Sequence, residues 1–162
     1  MQTVPEDSGA QSREQALKTA ANVLQYRQRS ARALYERLLE KEIAPEDAEY
    51  AVERLKQLGY LNDGEYAALL VRELSGRGYG PGRIRQTLRE KKLEPETVEA
   101  AMETCQTDPE QLRRYVESRL KGQTADRRSL KRVSDGLCRR GFSWEDIRRA
   151  LREYTDIAED TE

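Results

Sequence analysis

Histidine is absent from this 162-residue chain, which removes the commonest general base and the commonest metal ligand together. Cysteine occurs only as Cys105 and Cys138, too few for a disulfide framework and without the C-x-x-C spacing of a metal or redox motif. With no secretory signal, both are expected as free thiols in a reducing compartment. Aromatic residues make up 6% of the chain, and apolar residues 36%, the same share as charged ones. Burial must then come from many narrow apolar stripes, not from one large core. No run of about 18 apolar residues occurs, and the start, MQTVPEDSGAQSREQ, has neither a basic n-region nor an apolar h-region. These absences lead us to expect a soluble, cytoplasmic, monomeric protein that is not an enzyme and takes neither cofactor nor metal.

What the chain does have is repetition. Segments starting at Ser30, Gly80 and Ser129 share one pattern at an interval of about 50 residues. Its columns are Leu34, Ile84 and Val133; Leu38, Leu88 and Leu137; Ile43, Leu93 and Phe142; Pro45, Pro95 and Trp144; Glu46, Glu96 and Glu145; Ala48, Val98 and Ile147; Val52, Met102 and Leu151; and Leu55, Cys105 and Tyr154. Positions 34 and 38, and then 48, 52 and 55, have the i, i+4, i+7 spacing of one helix face. Each segment therefore reads as two helices in a hairpin, with an apolar plug between them. Proline at the first turn of the second helix costs no hydrogen bond, and the glutamate beside it meets the positive helix start. In the third copy Ser143 and Asp146 stand at capping-box spacing.

A further helical stretch precedes each pair: Ala16, Leu17, Ala20, Ala21 and Leu24; Tyr66, Ala67, Leu70 and Leu74; Leu112, Tyr115, Val116 and Leu120. The fold expected is all-α, an elongated tandem array of three three-helix repeat units over residues 15–62, 63–106 and 107–154. Units of this size are marginal alone and should share apolar surface with their neighbours. Residues 1–14, without periodicity, and the acidic residues 155–162 are expected to be flexible tails. Asn62-Asp63-Gly64 and the stretch from Gln106 to Pro109 carry cap and turn residues and read as joints.

The formal net charge of −1 hides an uneven distribution. From Arg72 to Lys92 seven basic residues face two acidic ones, and from Arg119 to Arg140 eight face two, whereas Glu153–Glu162 holds five acidic residues and no basic one. Solvated helix faces explain part of this. The loops GRGYGPGR (76–83) and KGQTADRRS (121–129), however, carry arginine beside glycine or capping residues, as a surface for a polyanion or an acidic protein would. The Gly-x-Gly-x-Gly-x-Gly in the first loop is weak as a phosphate loop. No apolar strand precedes it and no Gly-Lys-Ser/Thr follows, so its glycines read as allowing a tight entry of the chain into a helix starting near Pro81. Cys105 falls in a core column and reads as a buried, inert thiol, while Cys138 stands among arginines without a base. Trp144, in the proline slot, reads as core or cap packing. Tyr26, Tyr60 and Tyr79 lie at loop borders.

The run LGYLNDGEYA (58–67), with GRGYGPGRIRQTLREKKL (76–93) after it and RSARALYERLLEK (29–41) before it, resembles the RecX family of regulators of the RecA recombinase. The resemblance covers residues 16–154, and that family's architecture is similar to the threefold repeat. Asn62, Tyr66, Glu42 and Lys92 depart from the usual pattern, the last two standing where glycine is frequent. The third copy rests on Arg127, Arg128, Ser129 and RRGFSWEDIRRAL (139–151). The resemblance implies a protein that binds the RecA nucleoprotein filament and curbs its growth, ATP hydrolysis, strand exchange and co-protease activity. Arg77, Arg83, Arg85, Arg89, Lys91 and Lys92, together with Arg127, Arg128, Lys131, Arg132, Arg139 and Arg140, are the candidate contacts to RecA and DNA, in an electrostatic role. Direct DNA binding of low sequence specificity and a general helical scaffold remain alternatives.

Overall fold

The computed structural model describes residues 7–122 and 125–159. Nine α-helices account for most of them: α1 (Asp7–Tyr26), α2 (Ala31–Glu40), α3 (Pro45–Gln57), α4 (Asp63–Gly76), α5 (Pro81–Glu90), α6 (Pro95–Met102), α7 (Pro109–Leu120), α8 (Arg127–Arg139) and α9 (Trp144–Glu159). The described residues contain no strand. Helix starts follow the local chemistry. Ser30 Oγ accepts from Ala33 N at 3.1 Å, Asn62 Oδ1 from Glu65 N at 3.0 Å, and Asp108 Oδ1 from Glu110 N at 3.0 Å, each satisfying an amide that has no partner inside its helix. Ser143 Oγ accepts from Asp146 N at 3.1 Å. The Asp146 carboxylate accepts from Thr107 Oγ1 instead, at 3.2 Å, so the box is closed on one side only.

The chain forms two compact units, one of Met1–Ala67 with Arg89–Thr97 and the other of Ala68–Leu88 with Val98–Glu162. Sequence periodicity would cut before 63 and before 107; compactness cuts through α4, α5 and α6. In the first unit Ala16 and Ala20 of α1, Leu34 and Leu38 of α2, and Ala48, Ala51, Val52 and Leu55 of α3 form one core with Leu61. In the second, Leu112, Val116 and Leu120 of α7 meet Val133 and Leu137 of α8 and Ile147 and Leu151 of α9, with Phe142 as the plug. Each fully buried leucine or isoleucine contributes about 1.5–3 kcal/mol by leaving water. Alanines on α1 and α3 allow those helices to approach closely.

Several expectations change. Residues 7–14, expected within the N-terminal tail, form the first turns of α1; residues 8–14 are exposed, and Arg13 lies 5.1 Å from the Tyr50 ring of α3. Residues 155–159 likewise continue α9, because nothing in the segment breaks a helix; residues 1–6 and 160–162 lie outside the described residues. Helix α8 starts with Asp126 as its cap, one turn earlier than the Ser129 column implies, which moves Arg127 and Arg128 from loop to helix. Gln123 and Thr124 of the same loop are outside the described residues. Trp144 is 63% exposed, so packing does not explain it. The proline slot it fills is the first position of a helix, which faces solvent at Pro45 and Pro95 also. Cys105 is only partly buried.

Candidate functional site

The candidate basic residues fall into three situations. Arg83 and Arg89 on α5, and Arg127, Arg128, Lys131, Arg132 and Arg139 on α8, are exposed, because Ile84 and Leu88 or Leu130, Val133 and Leu137 take the inward positions of those helices. Arg77 is exposed in the turn after α4. Arg85 is tied to Glu99, with Nε–Oε1 at 3.1 Å and Nη2–Oε2 at 3.3 Å, so its fork holds α5 to α6. Lys131 reaches Asp135 at 3.5 Å. In the first turn of α8 there is no acidic residue, and Arg127 and Arg128 stand at the positive end of the helix dipole, an arrangement that favours an external anion. Asp126 offsets part of it. Its carboxyl is held below its ordinary value of 3.8, first by the Ser129 backbone amide, then by the Ser129 side chain, with Arg128 and Arg132 adding attraction.

Two junctions organise the remainder, and both obey the repeat. In the first compact unit the turn after α5 is seated on the start of α2. Ser30 Oγ donates to the Lys91 carbonyl at 2.7 Å, and Lys92 Nζ binds Glu36 of α2. Asp63 Oδ1 accepts from Ala31 N at 2.9 Å on the same helix start. Lysine donation is the main reason the Glu36 carboxyl titrates below its ordinary 4.5, opposed by burial and helped by Arg32. Lys92 sits at φ +61, a left-handed backbone that an L residue adopts at a cost.

The second compact unit holds the same junction one repeat later, where the turn after α8 is seated on the start of α5. Gly80 N donates to the Arg140 carbonyl at 2.7 Å, and Gly82 N to the Gly141 carbonyl at 2.9 Å. Here main chain meets main chain. A Cβ on Gly80 would overlap the Gly141–Phe142 peptide, and one on Gly141 would overlap the Arg83 backbone nitrogen. Gly80 and Gly82 thus allow the close approach of a second turn, a partner that loop composition does not reveal. Arg140 is consumed by the junction: its guanidinium lies 5.8 Å from the Tyr79 ring and 5.1 Å from the Tyr115 ring and donates to the Arg77 and Gly78 carbonyls at 3.4 Å. Gln111 Nε2 donates to the Ser75 carbonyl at 2.9 Å alongside.

The structure therefore brings Arg77, Arg83 and Arg140 together at the second junction, and Lys91 and Lys92 to the first with Arg89 in the same compact unit; Arg85, Lys92 and Arg140 carry structural contacts. Arg27 and Arg29, beside Lys91 at the first junction, escaped the sequence reading because their own segment is near neutral. Their signal was the column shared by Arg27 and Arg77. No group of three His, Cys, Asp or Glu residues among those described is placed to hold a metal. Burial raises the Cys105 thiol above its ordinary 9.0, against the Ser75 hydrogen bond and the Arg85 charge, which keeps it protonated near neutral pH. No helix of the described residues is long and apolar enough to cross a membrane.

Comparison with known proteins gives this arrangement a family. A family model described as "RecX, first three-helix domain" matches residues 16–55, which fall in α1–α3, and one described as "RecX, second three-helix domain" matches 62–102, covering α4–α6. The chain is 38% identical over 135 residues to the regulatory protein RecX of Xanthomonas oryzae pv. oryzae, across 82% of this chain and 84% of that one. It is 33% identical over 156 residues to the regulatory protein RecX of Stenotrophomonas maltophilia, across 94% and 96%. The crystal structure of RecX from Lactobacillus salivarius matches with a TM-score of 0.81 at 22% identity, covering 90% of this chain and 98% of that one; at that identity the likeness bears on the fold alone.

Proposed function

This chain belongs to the RecX family of regulatory proteins, and from that premise we propose that it binds the RecA recombinase filament and inhibits its growth, ATP hydrolysis, strand exchange and co-protease activity. The observation that carries the reading is the repeated junction. Each time, a basic turn that closes one middle helix is delivered to the start of the preceding one, so each compact unit presents cations beside such a seat. A filament offers its partner a repeating surface with bound DNA, and several modest contacts held on one chain multiply into useful avidity. Arg77, Arg83, Arg89, Lys91, Arg127, Arg128, Lys131, Arg132 and Arg139 supply attraction, while Arg85, Lys92 and Arg140 hold the turns that present it. Their role is electrostatic, which makes binding depend steeply on salt.

The test is RecA on single-stranded DNA with this protein added, following ATP hydrolysis and filament length. Slowed hydrolysis and shortened filaments are expected. Unchanged values at a several-fold molar excess over RecA refute the reading. A second reading, direct DNA binding, is favoured by Arg127 and Arg128 at the start of α8, where helix dipole and side chains both attract phosphate. Tight, sequence-selective binding to DNA without recombinase would favour it over the first.

A further inference from the structure

The first junction borders a half-open cavity of about 210 Å³ lined by Arg27, Arg29, Ser30, Lys91 and Lys92 among others, far more than the ~10–15 Å³ a single water needs. Its glutamates are already engaged: Glu36 binds Lys92 and Arg32, Glu40 binds Arg37 at 2.7 Å, and Glu90 is not without a partner. What remains is cationic. Arg29 lines the opening half-buried, and its Nε, buried without a protein acceptor, leaves the guanidinium charge uncompensated within the protein, a costly state. Arg27 stands exposed at the mouth, and Lys91 is half-buried, its main chain fixed by the Ser30 hydroxyl. At the equivalent second junction, main chain packs against main chain and Arg140 lies on two aromatic rings.

We propose that this cavity is an oxyanion subsite that takes a phosphate of a nucleic-acid backbone, with Arg29 and Lys91 donating to the phosphate oxygens and Arg27 to the neighbouring phosphate. A diester suits it better than a single carboxylate, because several cations face one opening and a diester chain continues past the mouth towards Arg27. Guanidinium forks match phosphate oxygens bidentately. The first helical unit, near neutral in overall charge, thereby gains a contact of its own.

A 5′-labelled oligothymidylate and fluorescence anisotropy across a salt series test the proposal. Each phosphate contact adds about 0.7 to the slope of log K against log salt for a single strand. Arg27→Gln is expected to lower that slope by about 0.7, and Arg29→Gln, which leaves Lys91 on the shared phosphate, by a smaller but measurable part of it, each weakening binding several-fold at about 0.1 M salt, whereas Arg54→Gln on α3, outside the cavity, leaves both unchanged. Circular dichroism checks folding; if Arg29→Gln unfolds, Arg27→Gln and Lys91→Gln carry the test. Wild-type slopes in the folded variants overturn the proposal, as does a wild-type chain that binds no oligonucleotide at low salt. Variants that keep the oligonucleotide slope but no longer slow RecA ATP hydrolysis would assign the cavity to an acidic protein group, overturning the phosphate subsite and leaving the filament reading in place.

Discussion

Replacing Gly141 by alanine isolates the energetic weight of the second junction. Gly141 has φ +90, and an alanine there loses about 1–2 kcal/mol to the left-handed backbone. Its Cβ would also overlap the Arg83 backbone nitrogen, and main chain cannot rotate aside as a side chain can. The turns must separate, which weakens the Gly80–Arg140 and Gly82–Gly141 hydrogen bonds at 2.7 and 2.9 Å, each contributing about 0.5–1.5 kcal/mol net. A total cost of about 2–5 kcal/mol follows from these contributions. Gly59 is the control, with φ +79 and nothing within 4 Å of an added Cβ, so Gly59→Ala should cost only the backbone contribution, about 1–2 kcal/mol. Urea unfolding followed by circular dichroism compares the two, and amide exchange adds a local readout, since the Gly80 and Gly82 amides should lose protection in Gly141→Ala alone. Equal destabilisation by the two variants, or unchanged protection at Gly80 and Gly82, refutes the reasoning.

Glu42 and Lys92, at φ +64 and +61, occupy the column that holds Gly141. Glu42→Gly should therefore stabilise by about 0.5–1 kcal/mol, the relief of left-handed strain less glycine's extra unfolded entropy, seen as a rise of about 1–4 °C in Tm; a fall in Tm contradicts it. Glu36 titrates below 4.5 in the folded chain, so its pairing stabilises fully above that value and is lost as pH falls through the depressed one. Glu36→Gln should flatten the stability-versus-pH curve below pH 4.5, and an unchanged acid limb would show that the Lys92 contact does not act in solution. Trp144→Ala should change stability by less than about 0.5 kcal/mol because the ring is exposed; a loss above about 1.5 kcal/mol, measured by urea unfolding, would mean that the ring packs after all.

The helices were legible because their signal is local. Leu34 and Leu38, Ile84 and Leu88, Val133 and Leu137 sit at i, i+4 within single helices, and all six are buried. Buried Leu61 and Val71 were not singled out, since each is an apolar residue outside the shared columns. The reach of the terminal helices α1 and α9 into residues 7–14 and 155–159 was missed for a related reason. Lack of an apolar stripe says that a segment buries little, not that it leaves the helix, and Arg13 on Tyr50 is a contact between helices that no periodicity announces. Trp144 was misread by residue type, although its own column places proline, exposed, in both other copies.

The site was half legible. Composition picked out the basic turns, but which cations present themselves and which are consumed depends on partners far away in sequence. Arg140 and Tyr79 are 61 positions apart, as are Ser30 and Lys91. The repeat nevertheless contains the rule, because a turn one repeat ahead is seated on each helix start at column 30 or 80. Such seating requires the residues before that column to stay out of the helix. In α8 they do not: the extra turn capped by Asp126 fills that space with Arg127 and Arg128. The same periodic plan thus leaves the third helix start with exposed cations on a positive helix end, where the first two are covered by a neighbouring turn. Anion attraction should be least shielded there, and salt-sensitive binding should respond more to Arg127 and Arg128 than to Arg85 or Arg140.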